Sequence, residues 1–193
     1  MGKKTVRKRG IEKCKKNNNK PIINSNSEKT EARIRKIFEK AQKEKTIKCS
    51  DILYTLSLSP HFIGCFAQDD LEKLKLCYPC FLMVNIDSRN EPGSHWLALK
   101  LDKQKLEIFD PLGFEIFKWK SVPCSLLEFI HDHSMSKKFV ISKRIQSDTS
   151  YFCGLYCIFY VFFRNFYSFD HLCSLFSEDL TKNDQRLLLL LDV

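Results

Sequence analysis

Residues 153–163 read CGLYCIFYVFF, eleven residues without a charge. A helix that is apolar all round has no face to give to water, so the rest of the domain must enclose it. A polar, turn-prone stretch, QSDTSY (146–151), comes just before the run, which puts the helix entrance near Cys153. The first N–H groups of a helix have no intrahelical partner and form a local positive pole, where a thiol tends to ionise.

Other elements assemble around this helix. In HWLALKLD (95–102), Leu97, Leu99 and Leu101 alternate onto one face, and KLEIFDPLGF (105–114) returns after a short polar turn, so 95–110 reads as a hairpin. CYPCFLMVNID (77–87) and KKFVISKRI (137–145) predict further strands. Ser50 or Asp51 is placed to cap a short helix carrying Ile52, Leu53 and Leu56 that Pro60 stops, and 124–133 reads as helical. The central helix should run from Cys153 to about Tyr167, with polar and leucine-rich helices after it. The expected class is α+β: a central helix on a mixed, mostly antiparallel sheet with surrounding helices.

Charge divides the chain. Residues 1–50 hold 17 Lys or Arg against 5 Glu, while the remainder holds 15 against 18 acids. Residues 1–27 have too little apolar content to offset ordering and read as a disordered basic tail. Its clusters, Lys3, Lys4, Arg7, Lys8, Arg9 and Lys13, Lys15, Lys16, suit a DNA-binding arm or an import signal; a solubilising tail is the plain alternative. Over 28–48, Ile34, Ile37, Phe38 and Ala41 recur at helical spacing, giving a narrow amphipathic helix that packs weakly on the domain or links the tail to it. Residues 49–193 are long enough for one well-filled core. Nine cysteines without regular spacing, and no apolar leader, point to an intracellular setting with most thiols free. No run of about 18 apolar residues exists, so no membrane span is expected.

A nucleophilic thiol needs a lowered pKa, a base, and donors for the oxyanion. Cys153 meets the first by position. Of five histidines, His95 stands where the polar loop SRNEPGS meets a strand. The hairpin brings Asp110 opposite it, where a carboxylate accepts the imidazole N–H and fixes the tautomer; DPLGF is also ordinary turn chemistry, and both readings hold together. Gln146, seven residues before the thiol, can share an oxyanion hole with the Cys153 backbone N–H. Cys77 and Cys80 lack two further ligands for zinc and read as buried thiols at a strand start. Cys157, one turn after Cys153, reads as core, and Trp96 either shields the imidazole or packs the sheet.

The ordered set GSHW, FDPLGF, Gln146 and CGLYC resembles the adenovirus-type cysteine proteases, the adenain family, within the wider Ulp1-like group; the likeness covers roughly residues 50–165. The resemblance implies a papain-like arrangement in circularly shifted order, with His95 as base, Asp110 orienting it, Gln146 in the oxyanion hole and Cys153 as nucleophile. It implies maturation of viral capsid and core precursors, no cofactor for the chemistry itself, and an activating peptide and DNA as accessory partners. A monomer is expected, in the virion and the host nucleus or a cytoplasmic viral factory. The interval from Gln146 to Cys153 matches the adenain side, since SUMO proteases usually have one residue fewer there and an Asp where Phe152 stands. The His95 to Asp110 interval is two residues shorter than in the family, an even change that preserves side-chain facing. No cysteine lies near SMSKKF to match the activating peptide's disulfide. Two other functions stay open: a deubiquitinating or deSUMOylating protease on the same scaffold, and a non-enzymatic basic DNA-binding protein.

Overall fold

A computed structural model describes residues 25–113, 122–135 and 137–191, with side chains from residue 28 onward. The basic clusters between Lys3 and Lys16 lie outside the described residues. In chain order the elements are α1 (Ser25–Glu44), α2 (Cys49–Leu56), β1 (Phe62–Ala67), a 3-10 turn (Gln68–Lys73), β2 (Cys80–Asn85), β3 (Trp96–Leu101) and β4 (Lys105–Phe109). Then come α3 (Cys124–Ser134), β5 (Lys138–Ile141), α4 (Cys153–Phe163), α5 (Phe169–Ser174), a second 3-10 turn (Leu180–Lys182) and α6 (Asn183–Leu190). Asp51 does not cap α2 from the end: Lys48 takes that place, and its N–H donates to the Asp51 carboxylate one turn in, at 3.2 Å.

The five strands lie in the order β1-β2-β3-β4-β5. Antiparallel pairing is confined to the centre, β2 with β3 and β3 with β4, while both edge pairings are parallel. The sheet is therefore evenly mixed, less antiparallel than the sequence reading expected. The reason is topological: β4 reaches β5 only by way of α3, and a crossover through a helix brings the strand back parallel.

Helices cover both faces, so β2 is apolar at almost every position and fully buried. On one face Phe81, Met83, Ala98 and Phe109 meet α4, every residue of which from Gly154 to Phe162 is buried. On the other, Leu97, Leu99 and Leu101 join Leu106, Ile108 and the α3 residues Leu126, Phe129 and Ile130. The alternation in β3 thus separates two helix layers, and the small Ala98 lies on the side of the central helix.

The expected amphipathic helix is α1, but the structure does not make it a linker. Ile34, Ile37, Phe38 and Ala41 are buried in the same core as α2 and α4, and Phe38 meets the Phe152 ring edge-on. The stripe is narrow yet packs on α2 and reaches the Phe152 ring just before α4. Of the eight cysteines among the described residues, six are free, as most were expected to be. Cys49 and Cys65 are the exception, joined in a disulfide that ties the first turn of α2 to β1. In CYPC only Cys80 is buried, which pushes its thiol up to about 11; Cys77 is exposed.

Candidate active site

The hairpin delivers a pre-set pair. The β3–β4 register, Ala98 with Phe109, extrapolates to Asp110 opposite Leu97, so Asp110 meets His95 on the diagonal rather than squarely. Their side chains close the gap: His95 Nε2 lies 2.8 Å from Asp110 Oδ1, with the two side chains 5% and 0% exposed. His95 also interacts with the Cys153 side chain at the start of α4, which acts to raise the imidazole pKa.

DPLG is both a turn and a site element. Asp110 N–H donates to Ser142 Oγ at 2.8 Å and the Ser142 hydroxyl donates back to the Asp110 carbonyl at 2.7 Å, clamping the end of β4 next to β5. The carbonyl of Pro111 accepts two N–H groups, from Ile145 at 2.9 Å and from Gln146 at 2.8 Å. The turn that presents the carboxylate therefore also fixes the backbone of Gln146. Gly113, at φ +61°, closes it, and a Cβ there would run into the Arg144 backbone.

Gln146, 2% exposed, lines the same groove as His95 and Cys153. Its Nε2 donates to the Ser150 carbonyl at 2.9 Å. Two further walls were not legible beforehand. Residues 45–48, between α1 and α2, line the groove, where the Trp96 indole N–H donates to the Ile47 carbonyl at 3.1 Å and a Cβ on Gly154 would press against Ile47. Loop 88–94 lines it as well, anchored by the Arg89 guanidinium on the Asp70 carboxylate at 2.7 Å. The disulfided Cys49 and Cys65 also line the groove. Cys157 is core: it is fully buried, with its thiol directed to the Trp96 carbonyl at 3.2 Å.

This arrangement has the parts of an acyl-transfer site: a thiol at a helix entrance, an imidazole, a buried carboxylate and an amide. The family described as adenovirus endoprotease matches this chain over residues 62–178. The chain belongs to the adenovirus endoprotease family. Its similar proteins include a protease of ovine adenovirus D serotype 7 (isolate OAV287), 28% identical over 129 residues, covering 61% of this chain and 63% of that protein. A protease of bovine adenovirus 4 is 29% identical over 128 residues, covering 58% and 60%. The chain thus spans less than two thirds of the length of the curated relatives it matches. Among solved structures, the ASFV pS273R protease matches at 17% identity and TM-score 0.45, covering 71% of this chain and 61% of that one. The SUMO protease Ulp1 matches at 12% identity and TM-score 0.41, covering 89% and 97%.

At this candidate site, burial works to lower the His95 pKa, but hydrogen bonds to Asp110 and Cys153 and their charges overcome it and raise it to about 9. The folded value lies above the ordinary 6.5, so the stability the pair contributes is complete below that pH and is lost as pH rises through about 9. Any activity that needs the imidazolium should share this limb. We expect kcat/KM to fall on the alkaline side with a midpoint near 9, and Asp110→Asn to move that midpoint to lower pH; a limb unmoved by Asp110→Asn would contradict the assignment.

Proposed function

We propose that the chain is a cysteine endopeptidase that cleaves viral capsid or core precursor proteins during virion maturation. The observation that carries this reading is the buried His95–Asp110 pair joined to a cysteine at the entrance of a buried helix, in a groove shared with Gln146. Cys153 attacks the scissile carbonyl as thiolate. His95 holds the proton as imidazolium and returns it to the leaving amine, while Asp110 orients the ring. The oxyanion is received by the Cys153 N–H at the helix entrance and by Gln146 Nε2. Membership in the adenovirus endoprotease family supports protein substrates of viral origin, and the chemistry needs no metal or bound cofactor.

The accessory partners follow from the family and from charge. The clusters Lys3, Lys4, Arg7, Lys8, Arg9, Lys13, Lys15 and Lys16 suit DNA and would hold the enzyme near packaged genome, in the virion and in the host nucleus or a cytoplasmic viral factory. An activating peptide belongs to the same proposal.

The test is hydrolysis of a capsid-precursor peptide beside a ubiquitin-like C-terminal conjugate. Cleavage of the first, lowered about 10- to 1000-fold by Gln146→Ala, is the expected result. Cleavage of the conjugate alone would move the chain to the deubiquitinating class, and cleavage of neither would sink the proposal.

A further inference from the structure

The loop that carries Gln146 to Cys153 is held by a helix beyond the family match, which ends at residue 178. Asn183, fully buried at the first position of α6, donates from Nδ2 to the Ile145 carbonyl and to the Ser177 carbonyl, both at 2.8 Å, and its Oδ1 accepts the Ser177 N–H at 2.8 Å. All three amide contacts are satisfied, one of them on the residue before Gln146. Its neighbour Asp184 accepts two hydroxyls on a single oxygen: Ser150 Oγ at 2.8 Å and the Tyr156 hydroxyl at 2.9 Å.

These two hydroxyls lie on either side of Cys153. Tyr156 is one turn into α4 from the thiol, and Ser150 belongs to the loop just before it. Because Ser150 gives its proton to Asp184, its oxygen shows only lone pairs to the other groups around it, the Phe152 N–H at 3.2 Å and Gln146 Nε2 at 3.3 Å. The Ser150 carbonyl takes the first Nε2 hydrogen at 2.9 Å. The long contact to Oγ leaves the second hydrogen weakly held, free to turn to a stronger acceptor. Gln146 has no opposite anchor, since its Oε1 is buried without a partner among the described residues. Its orientation therefore depends on Ser150, and that of Ser150 on Asp184.

We infer that Asp184 is a positioning residue for the proposed hydrolysis: by tying Ser150 to Tyr156 it fixes the spacing between the Gln146 amide and the Cys153 N–H, the two donors of the oxyanion hole. The inference rests on the peptidase reading above. The hydrogen bonds of Asp184 lead through Ser150 to Gln146, so the inference concerns oxyanion stabilisation rather than thiol activation.

The experiment compares Asp184→Ala, Asp184→Asn and wild type in two reactions of the full chain. Peptide hydrolysis builds an oxyanion; alkylation of Cys153 by iodoacetamide does not, and reports only the thiolate and its imidazole. In Asp184→Ala, kcat should fall about 10-fold or more with KM little changed, while the alkylation rate stays within about twofold of wild type. Asp184→Asn keeps an oxygen acceptor for both hydroxyls and should recover most of kcat. If Asp184→Ala proves too unstable to assay, Ser150→Ala removes the hydroxyl through which the carboxylate acts and should show the same split. Hydrolysis unchanged in these variants, or hydrolysis and alkylation falling together, overturns the inference. A wild-type chain that alkylates but hydrolyses no peptide overturns instead the function on which it rests.

Discussion

Cys153→Ala should remove peptide hydrolysis, with a loss on the order of 10^6-fold in kcat, as nucleophile deletions do when a triad acts as a unit. The size of the effect follows from what the alanine chain still has. The groove, Gln146 and the helix-entrance N–H groups remain and still bind and polarise a carbonyl, so the residual rate is that of water attacking in an organised site. His95→Ala should lose nearly as much, and the double variant little more, because neither member works without the other. The fold should be unchanged: Cys153 is only half-buried, and the α4 core packing starts at Gly154. Circular dichroism and a thermal melt of Cys153→Ala beside the cleavage assay check both points. Cleavage at the wild-type rate would remove Cys153 from the chemistry and with it the endopeptidase reading.

The pieces of this site legible in the sequence were those whose partners lie close along the chain. His95 and Asp110 are joined by one hairpin, so alternation and a short turn suffice to bring them together. Gln146 and Cys153 are joined by one loop and a helix start. The contacts that local pattern does not reveal are of longer range. Asn183 reaches back 38 residues to Ile145 and Asp184 34 residues to Ser150; before the fold is known, each is only a polar residue opening a leucine-rich helix. The Cys49–Cys65 pair has no spacing to announce it, and nothing local distinguishes those two thiols from the six that stay free among the described residues.

The fold divided along the same line. The strands in the hairpin and the all-apolar helix stood out, since periodicity and run length are local signals. β1 did not: FIGCFA has Gly64 at φ +142° and a register shift between Phe62 and Gly64, which break its alternation. Its parallel partner β2 also lies beyond the 3-10 turn, where no hairpin signal exists. α1 showed its stripe plainly, yet burial of that stripe depended on α2 and on Phe152 before α4 reaching it, and amphipathicity alone does not say how much of a face is covered.

Glu107→Gln should destabilise the fold by about 3–5 kcal/mol. Glu107 faces α4 from the middle of β4 and is 1% exposed. Arg164, at the end of that helix, approaches it with two nitrogens, Nε on Oε2 and Nη2 on Oε1, each at 2.8 Å. The Tyr160 hydroxyl donates to Oε2 at 2.7 Å and Lys105 Nζ lies 2.8 Å from Oε1. Burial alone would raise the carboxyl, but hydrogen bonds from Arg164, Lys105 and Tyr160 overcome it and hold it at about 2. An amide of the same shape keeps the packing and loses the charge, leaving two cations facing a neutral group and one amide hydrogen pressed against a donor. At about 2–4 °C per kcal/mol for a chain of this size, the melting temperature should drop by roughly 6–20 °C. The pH dependence gives a second check. The folded carboxyl lies below its ordinary 4.5, so its contribution is present above that pH and is lost as pH falls through about 2. Wild type should therefore lose stability across that acid window, and Glu107→Gln should be flatter there. Cys153 begins the helix that this cluster ends, so a variant that melts early yet cleaves normally at low temperature would show that the cluster secures the scaffold and leaves the chemistry to the other end.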